Sequence, residues 1–172
     1  MATFDTAFNI LLQVEGGYNV TAGDTGGATK YGISQASHPQ LDIENLTIDQ
    51  AKQIYLDEYW NPLLCDHLDP LVAIPLFCEA VNAEGAGAKG VIVKLLQQTV
   101  GAVEDGFMGQ ETVSITNQQK PKNVSIYLNA LFAMRYATLN NYATFGKGWM
   151  ARLFKVYGLT KDALTLTTNN QR

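Results

Sequence analysis

The stretch that decides the fold is Val14-Glu15-Gly16-Gly17-Tyr18, because it stops the first helical pattern of the chain on a carboxylate. Upstream, Phe4, Phe8, Leu11 and Leu12 recur at i, i+4, i+7 and i+8, the period of an amphipathic helix with Thr3 placed as N-cap. Glu15 is the next position on that apolar stripe. Gly16 or Gly17 can take the left-handed conformation that ends a helix abruptly and leaves Glu15 at an edge. A carboxylate on an apolar stripe is costly unless it is paired or protonated. Burial and the negative end of the helix dipole both raise its pKa, which favours a group that keeps its proton near neutral pH. The alternative is a half-exposed Glu at a helix end, making a surface ion pair.

Outward from this break, the helical period is lost from Gly16 to Ser34. Tyr18-Asn19-Val20 and Thr29-Lys30-Tyr31-Gly32-Ile33 flank the turn-rich Gly23-Asp24-Thr25-Gly26-Gly27, the pattern of a hairpin or glycine-rich loop. Thr47-Ile48-Asp49-Gln50 carries a capping-box signature and opens a helix that ends before Asn61-Pro62. Asp69-Pro70 starts another, with Pro75 kinking it or marking a restart. Val91, Ile92, Leu95 and Leu96 form one more apolar face, and further helices are expected over 124–139 and 149–157, with the polar end "LTTNNQR" fraying. The class is mainly α (α+β): helical, with one small β-hairpin or glycine-rich loop after the first helix.

Composition limits the function. With 47% hydrophobic and 16% charged residues in 172, the chain can build a real core and is not of the disordered class. The net charge of −4, with twelve scattered Lys and Arg, argues against nucleic acid as the main partner. Lys30, Lys52, Arg135, Lys147 and Arg152 would make a basic cleft only by converging in space. Cys65 and Cys78 are too few for a disulfide framework and read as semi-buried thiols. His38 and His67 lack partners at metal spacing, so neither a metal nor a cofactor is expected. No stretch is long enough to span a bilayer, and a basic start with an apolar run, the mark of a secretory signal, is not seen at the N-terminus. Action outside the cytoplasm would then need a separate release route.

A carboxylic acid that stays protonated near neutral pH is what a general acid needs in glycosidic bond cleavage. Glu15 followed by Asp24 and Thr29 resembles the active-site order of phage-type lysozymes, with an Asp-to-Thr interval one residue shorter here. The closer match is "EGGY", then "GDTGGATKYGIS", then Tyr59-Trp60, which together resemble the N-terminal domain of the glycoside hydrolase 108 family, N-acetylmuramidases of phage endolysins and bacterial secretion-activator proteins. Leu96-Gln97, Gly101 and Asp105-Gly106-Phe107-Met108-Gly109-Gln110-Glu111-Thr112 are similar to the signature of small helical peptidoglycan-binding modules. The Asp-Gly turn could equally be scaffolding between two helices. Phe145 to Arg152 resembles the end of the C-terminal domain that accompanies the hydrolase.

The resemblance implies a lysozyme-like fold with a catalytic lobe over 1–88 and a helical peptidoglycan-binding-like lobe over 89–172, packed as one unit. It implies cleavage of the β-1,4 bond between N-acetylmuramic acid and N-acetylglucosamine, with Glu15 as the acid. Asp24 is the candidate second carboxylate, or else caps its turn. Thr29 is the candidate for holding a water. Tyr18 and Tyr31 suit the faces of pyranose rings, with core packing the equal alternative. Glu79 and Asn82 fall on a helix placed to border the cleft. Asn82 is taken as substrate-binding; no role is carried onto Glu79, where the family more often has Asp. Trp60 and Trp149 are expected in the core. The expected partner is peptidoglycan, bound by a monomer without stable membrane insertion. As an endolysin the protein would be made in the host cytoplasm and reach the wall after holin-type release. Two readings compete: a lytic transglycosylase, whose goose-type members place Ser where Gly16 stands, and a non-catalytic wall-binding module.

Overall fold

The computed structural model describes residues 4–14, 29–83 and 87–169. The Thr3 cap, the arm over 18–20 and the loop over 23–27 lie outside the described residues. Helix α1, Phe4–Val14, buries Ala7, Phe8, Ile10 and Leu11 along one stripe, as its spacing predicts. Strands β1, Thr29–Lys30, and β2, Ile33–Ser34, pair antiparallel with Thr29 opposite Ser34 and Lys30 opposite Ile33. Residues 29–33, expected as one continuous arm, therefore fold back on themselves. The cause is the pair at the tip. Tyr31 has φ 54° and Gly32 φ 80°, both in the left-handed region that a two-residue turn matched to strand twist requires. The Tyr55 hydroxyl donates to the Tyr31 carbonyl at 3.0 Å and ties this hairpin to the helical body.

Helix α2, Ile48–Tyr55, starts with the expected capping box: Gln50 N–H donates to Thr47 Oγ1 at 3.2 Å, and Thr47 N–H to Gln50 Oε1 at 2.8 Å. It continues as a π-helical turn, Leu56–Trp60, that stops at Asn61 before Pro62. Helix α3, Pro70–Asn82, is capped by Asp69, whose carboxylate accepts from Leu71 N–H at 2.9 Å, and it runs unbroken through Pro75. Residues Val72 to Ala80 of α3 are all buried, so it is apolar on every side, the mark of a helix enclosed by others. It packs against α1 and against the later helices α4, Ala88–Val100, α6, Pro121–Ala137, and α7, Tyr142–Asn169. Helix α5, Gln110–Asn117, bridges α4 and α6.

One cluster of buried side chains runs from Ala7 to Val156. At its aromatic centre, Trp60 is fully buried, with ring centroids 5.5 Å from both Phe4 and Phe77. Its indole N–H donates to Asp66 Oδ1 at 2.9 Å, which satisfies the one polar group such a residue brings inside. Both cysteines are buried and unbridged; burial first, then the charge of Asp66, raises the Cys65 thiol well above its usual value.

Helix α7 is longer at both ends than the expected 149–157 and continues into the segment expected to fray. Glycine costs a helix interior about 1 kcal/mol relative to Ala, yet Gly146, Gly148 and Gly158 all lie inside. Burial outweighs propensity here. Leu153, Val156 and Thr160 are buried on one face, and the Tyr142 ring lies so close over Gly146 that a Cβ would sit 2.5 Å from it. Lys155 of α7 also donates to the carbonyl of Gln13 in the last turn of α1 at 2.6 Å.

Candidate active site

Two clefts flank the last turn of α3. The first, about 510 Å³, lies between the hairpin and the helical body. Gly32 and Ser37 line it from the hairpin side, Val81 and Ala83 from α3, and Tyr59 and Lys89 from the facing wall. Lys89 sits 4.3 Å above the centroid of the Tyr59 ring and donates to the Glu58 carbonyl at 2.6 Å, which fixes a cation against an aromatic face. Burial first, then the adjacent Glu58 charge, raises the Tyr59 phenol, so it remains a neutral hydrogen-bonding group. Beside it, His38 bridges Ser37 Oγ at 3.0 Å and Glu58 Oε1 at 2.9 Å, while the Ser37 hydroxyl donates to the Ser34 carbonyl. This chain of contacts anchors the loop after β2 to the π-helical turn.

The second cleft, about 320 Å³, opens on the other side of α3, where Asn82 meets Arg135 and Tyr136 at the end of α6, Asn140 and Asn141 in the α6–α7 connection, and Trp149 on α7. Behind it lies a buried polar network. Glu79 is 1% exposed; it accepts from the Tyr136 hydroxyl at 2.5 Å and from Arg152 Nη1 at 3.3 Å. Arg152 Nη2 donates to the Cys78 carbonyl at 3.1 Å, and Asn82 Nδ2 donates to the Tyr136 hydroxyl at 2.9 Å. A buried carboxylate needs such partners to remain charged. Burial first, then the Glu79 charge, holds the Tyr136 phenol far above its ordinary value, so it is protonated and aimed at Glu79.

Of the residues singled out in the sequence, Thr29 and Tyr31 lie on the hairpin, both half-buried, and Asn82 lies on the wall of the second cleft. Glu15, Tyr18 and Asp24 lie outside the described residues. The basic residues are distributed. Lys30 donates to the Glu44 carbonyl, Lys52 pairs with Asp5, Arg152 with Glu79, and Arg135 lines the second cleft. Trp149, expected in the core, is only half-buried. It packs on Tyr136 at 5.6 Å between centroids and also faces the second cleft. Its placement three residues before Arg152, on the same helix face, is the signal that could have assigned it there. Tyr59 was legible only as half of the Tyr59-Trp60 pair.

A third polar site, around Gln97, borders a smaller cleft of about 230 Å³. Gln97, 1% exposed, donates to Asp105 Oδ1 at 2.7 Å, to the Phe107 carbonyl and to Thr112 Oγ1, while its own oxygen accepts from Gly106 N–H. Asp105 also accepts from Phe107 N–H at 2.8 Å; that bond first, then the one from Gln97, lowers its pKa.

The helical body, with one short hairpin among the described residues and a flanking cleft, defines a lysozyme-like α+β fold. The chain matches, over residues 8–84, the model of a family described as glycosyl hydrolase 108. It is a glycoside hydrolase of the N-acetylmuramidase class. Among solved structures it is similar to SagA of Brucella abortus, at 28% identity over 92% of this chain and 94% of that one, with a TM-score of 0.78. Among curated protein sequences none matches it significantly.

Proposed function

We propose that the protein hydrolyses the β-1,4 bond between N-acetylmuramic acid and N-acetylglucosamine in peptidoglycan, with Glu15 as general acid. The observation that carries this reading is the glycosyl hydrolase 108 match over 8–84, a stretch that includes Glu15, Asp24 and Thr29. Glu15 protonates the glycosidic oxygen as the sugar ring gains oxocarbenium character. Asp24 stabilises that charge or activates water, and Thr29 holds the water. Tyr18 and Tyr31 line the glycan path, and Asn82 binds substrate beyond the end of α3. The protein acts as an endolysin, reaching the wall through holin-type release.

Purified peptidoglycan digested with the wild type and with Glu15→Gln, followed by borohydride reduction and mass spectrometry, tests this. Reducible muramic acid ends should form at least ~10²-fold more slowly with the variant, the usual loss when a general acid-base group is removed. Non-reducible anhydro ends would assign a lytic transglycosylase instead. Equal rates for the two proteins would remove Glu15 from the chemistry.

A further inference from the structure

The second cleft combines features that point to an anionic, peptide-like ligand rather than to a packing defect. Arg135 is half-buried in its wall, and no acidic side chain is paired with it among the described residues. Among the described residues the lining contains no Asp or Glu. Asn82, Asn140 and Asn141 surround the guanidinium with side-chain amides, which can both donate to and accept from a peptide backbone. Of these, the amide of Asn82 is held in place by its bond to Tyr136. Arg135 presents a planar fork of donors that matches a carboxylate in two parallel bonds. The volume, about 320 Å³, falls in the range of sites that enclose small ligands.

Position gives the ligand its identity. Val81 and Ala83 line the first cleft while Asn82, between them, lines the second, so only the last turn of α3 separates the two. A glycan lying along the first cleft would carry its peptide branches on the muramic acid. A branch crossing a helix about 10–12 Å in diameter needs three extended residues at about 3.5 Å each. We propose that the second cleft is a subsite for the stem peptide of peptidoglycan, in which Arg135 binds a free carboxylate two to three residues out from the sugar. This rests on the muramidase reading above. It adds that cleavage is selective for peptide-bearing muramic acid.

The test compares initial rates on intact peptidoglycan and on glycan strands stripped of stem peptides by an amidase, for the wild type, Arg135→Gln and Arg135→Lys. The wild type should prefer intact material by roughly tenfold or more in kcat/KM, the size expected for a hydrogen bond to a charged group. Arg135→Gln should bring that ratio close to one, and Arg135→Lys should restore part of it. Amidating the stem-peptide carboxylates of intact material should reduce the wild-type preference in the same way. A wild type that cuts both substrates equally, or an Arg135→Gln variant with the wild-type ratio, overturns the subsite and leaves the muramidase standing. A wild type that releases reducing ends from neither substrate overturns both.

Discussion

Gln97 and Glu79 are equally buried, and they illustrate two uses of a polar side chain in a core. Gln97 is neutral, and its partners lie close in sequence: Asp105, Gly106 and Phe107 in the turn it closes and Thr112 at the start of α5. Glu79 is an acid, and its network leads outward through Tyr136 to Asn82 on the wall of an open cleft. A network of near neighbours fixes a local turn. One that joins α3, α6 and α7 fixes how helices meet. The Asp105-Gly106 turn, which resembles that of wall-binding modules, is held by Gln97, whereas Glu79, without a role in the sequence reading, holds the Tyr136–Asn82 contact on the wall of the second cleft.

The contrast can be broken experimentally. The largest effect is expected for Glu79→Leu, which removes the acceptor of the Tyr136 hydroxyl and of Arg152 Nη1; removing one member of a buried pair costs about 3–5 kcal/mol. Urea unfolding would measure it, and a loss below 1 kcal/mol would mean that Glu79 is not the anchor. Gln97→Leu leaves the part-buried Gly106 N–H without its acceptor, at about 1–3 kcal/mol for an unsatisfied group. Its kcat on peptidoglycan should stay at the wild-type value, and a fall in kcat with the fold intact would give this turn a part in the site.

Tyr136→Phe should cost about 1.5–3 kcal/mol, as for a hydrogen bond to a charged group. Its signature is pH dependence. The folded pKa of Tyr136 is raised, so its contribution is complete below the unfolded value of about 10 and declines as the pH rises above that. Wild-type stability should therefore fall more steeply than that of the variant above pH 10, in thermal melts between pH 8 and 11. The smallest effect belongs to Thr47→Ala, about 1 kcal/mol for loss of a helix cap. A change in activity with it would tie α2 to the site more closely than its capping role requires.

What the sequence disclosed and what it concealed divide by the range of the interactions. The α1 stripe, the Thr47 capping box and the Asp69-Pro70 start depend on neighbours a few residues apart, and all three stand as read. The Tyr31-Gly32 turn was hidden because a tyrosine in a left-handed conformation depends on a distant partner, Tyr55. The extent of α7 was hidden because its glycines gave the local signal while α1, α3 and α6 decided the outcome. Of the candidate site, Asn82 was legible from its place on α3. Arg135 was legible as a charge but not as a cleft residue, since the end of α6 meets α3 only in the folded chain.

The bond from Lys155 to Gln13 spans 142 positions of sequence. During synthesis at about 5–20 residues per second, roughly 7–28 s separate the appearance of its two ends. For the second half of that interval, after residue 84, the nascent chain holds the whole segment that matches the glycosyl hydrolase 108 model but lacks the Lys155 contact that braces the end of α1. The brace on the end of α1 thus arrives late in translation, from a helix that lies outside the segment matching the hydrolase family.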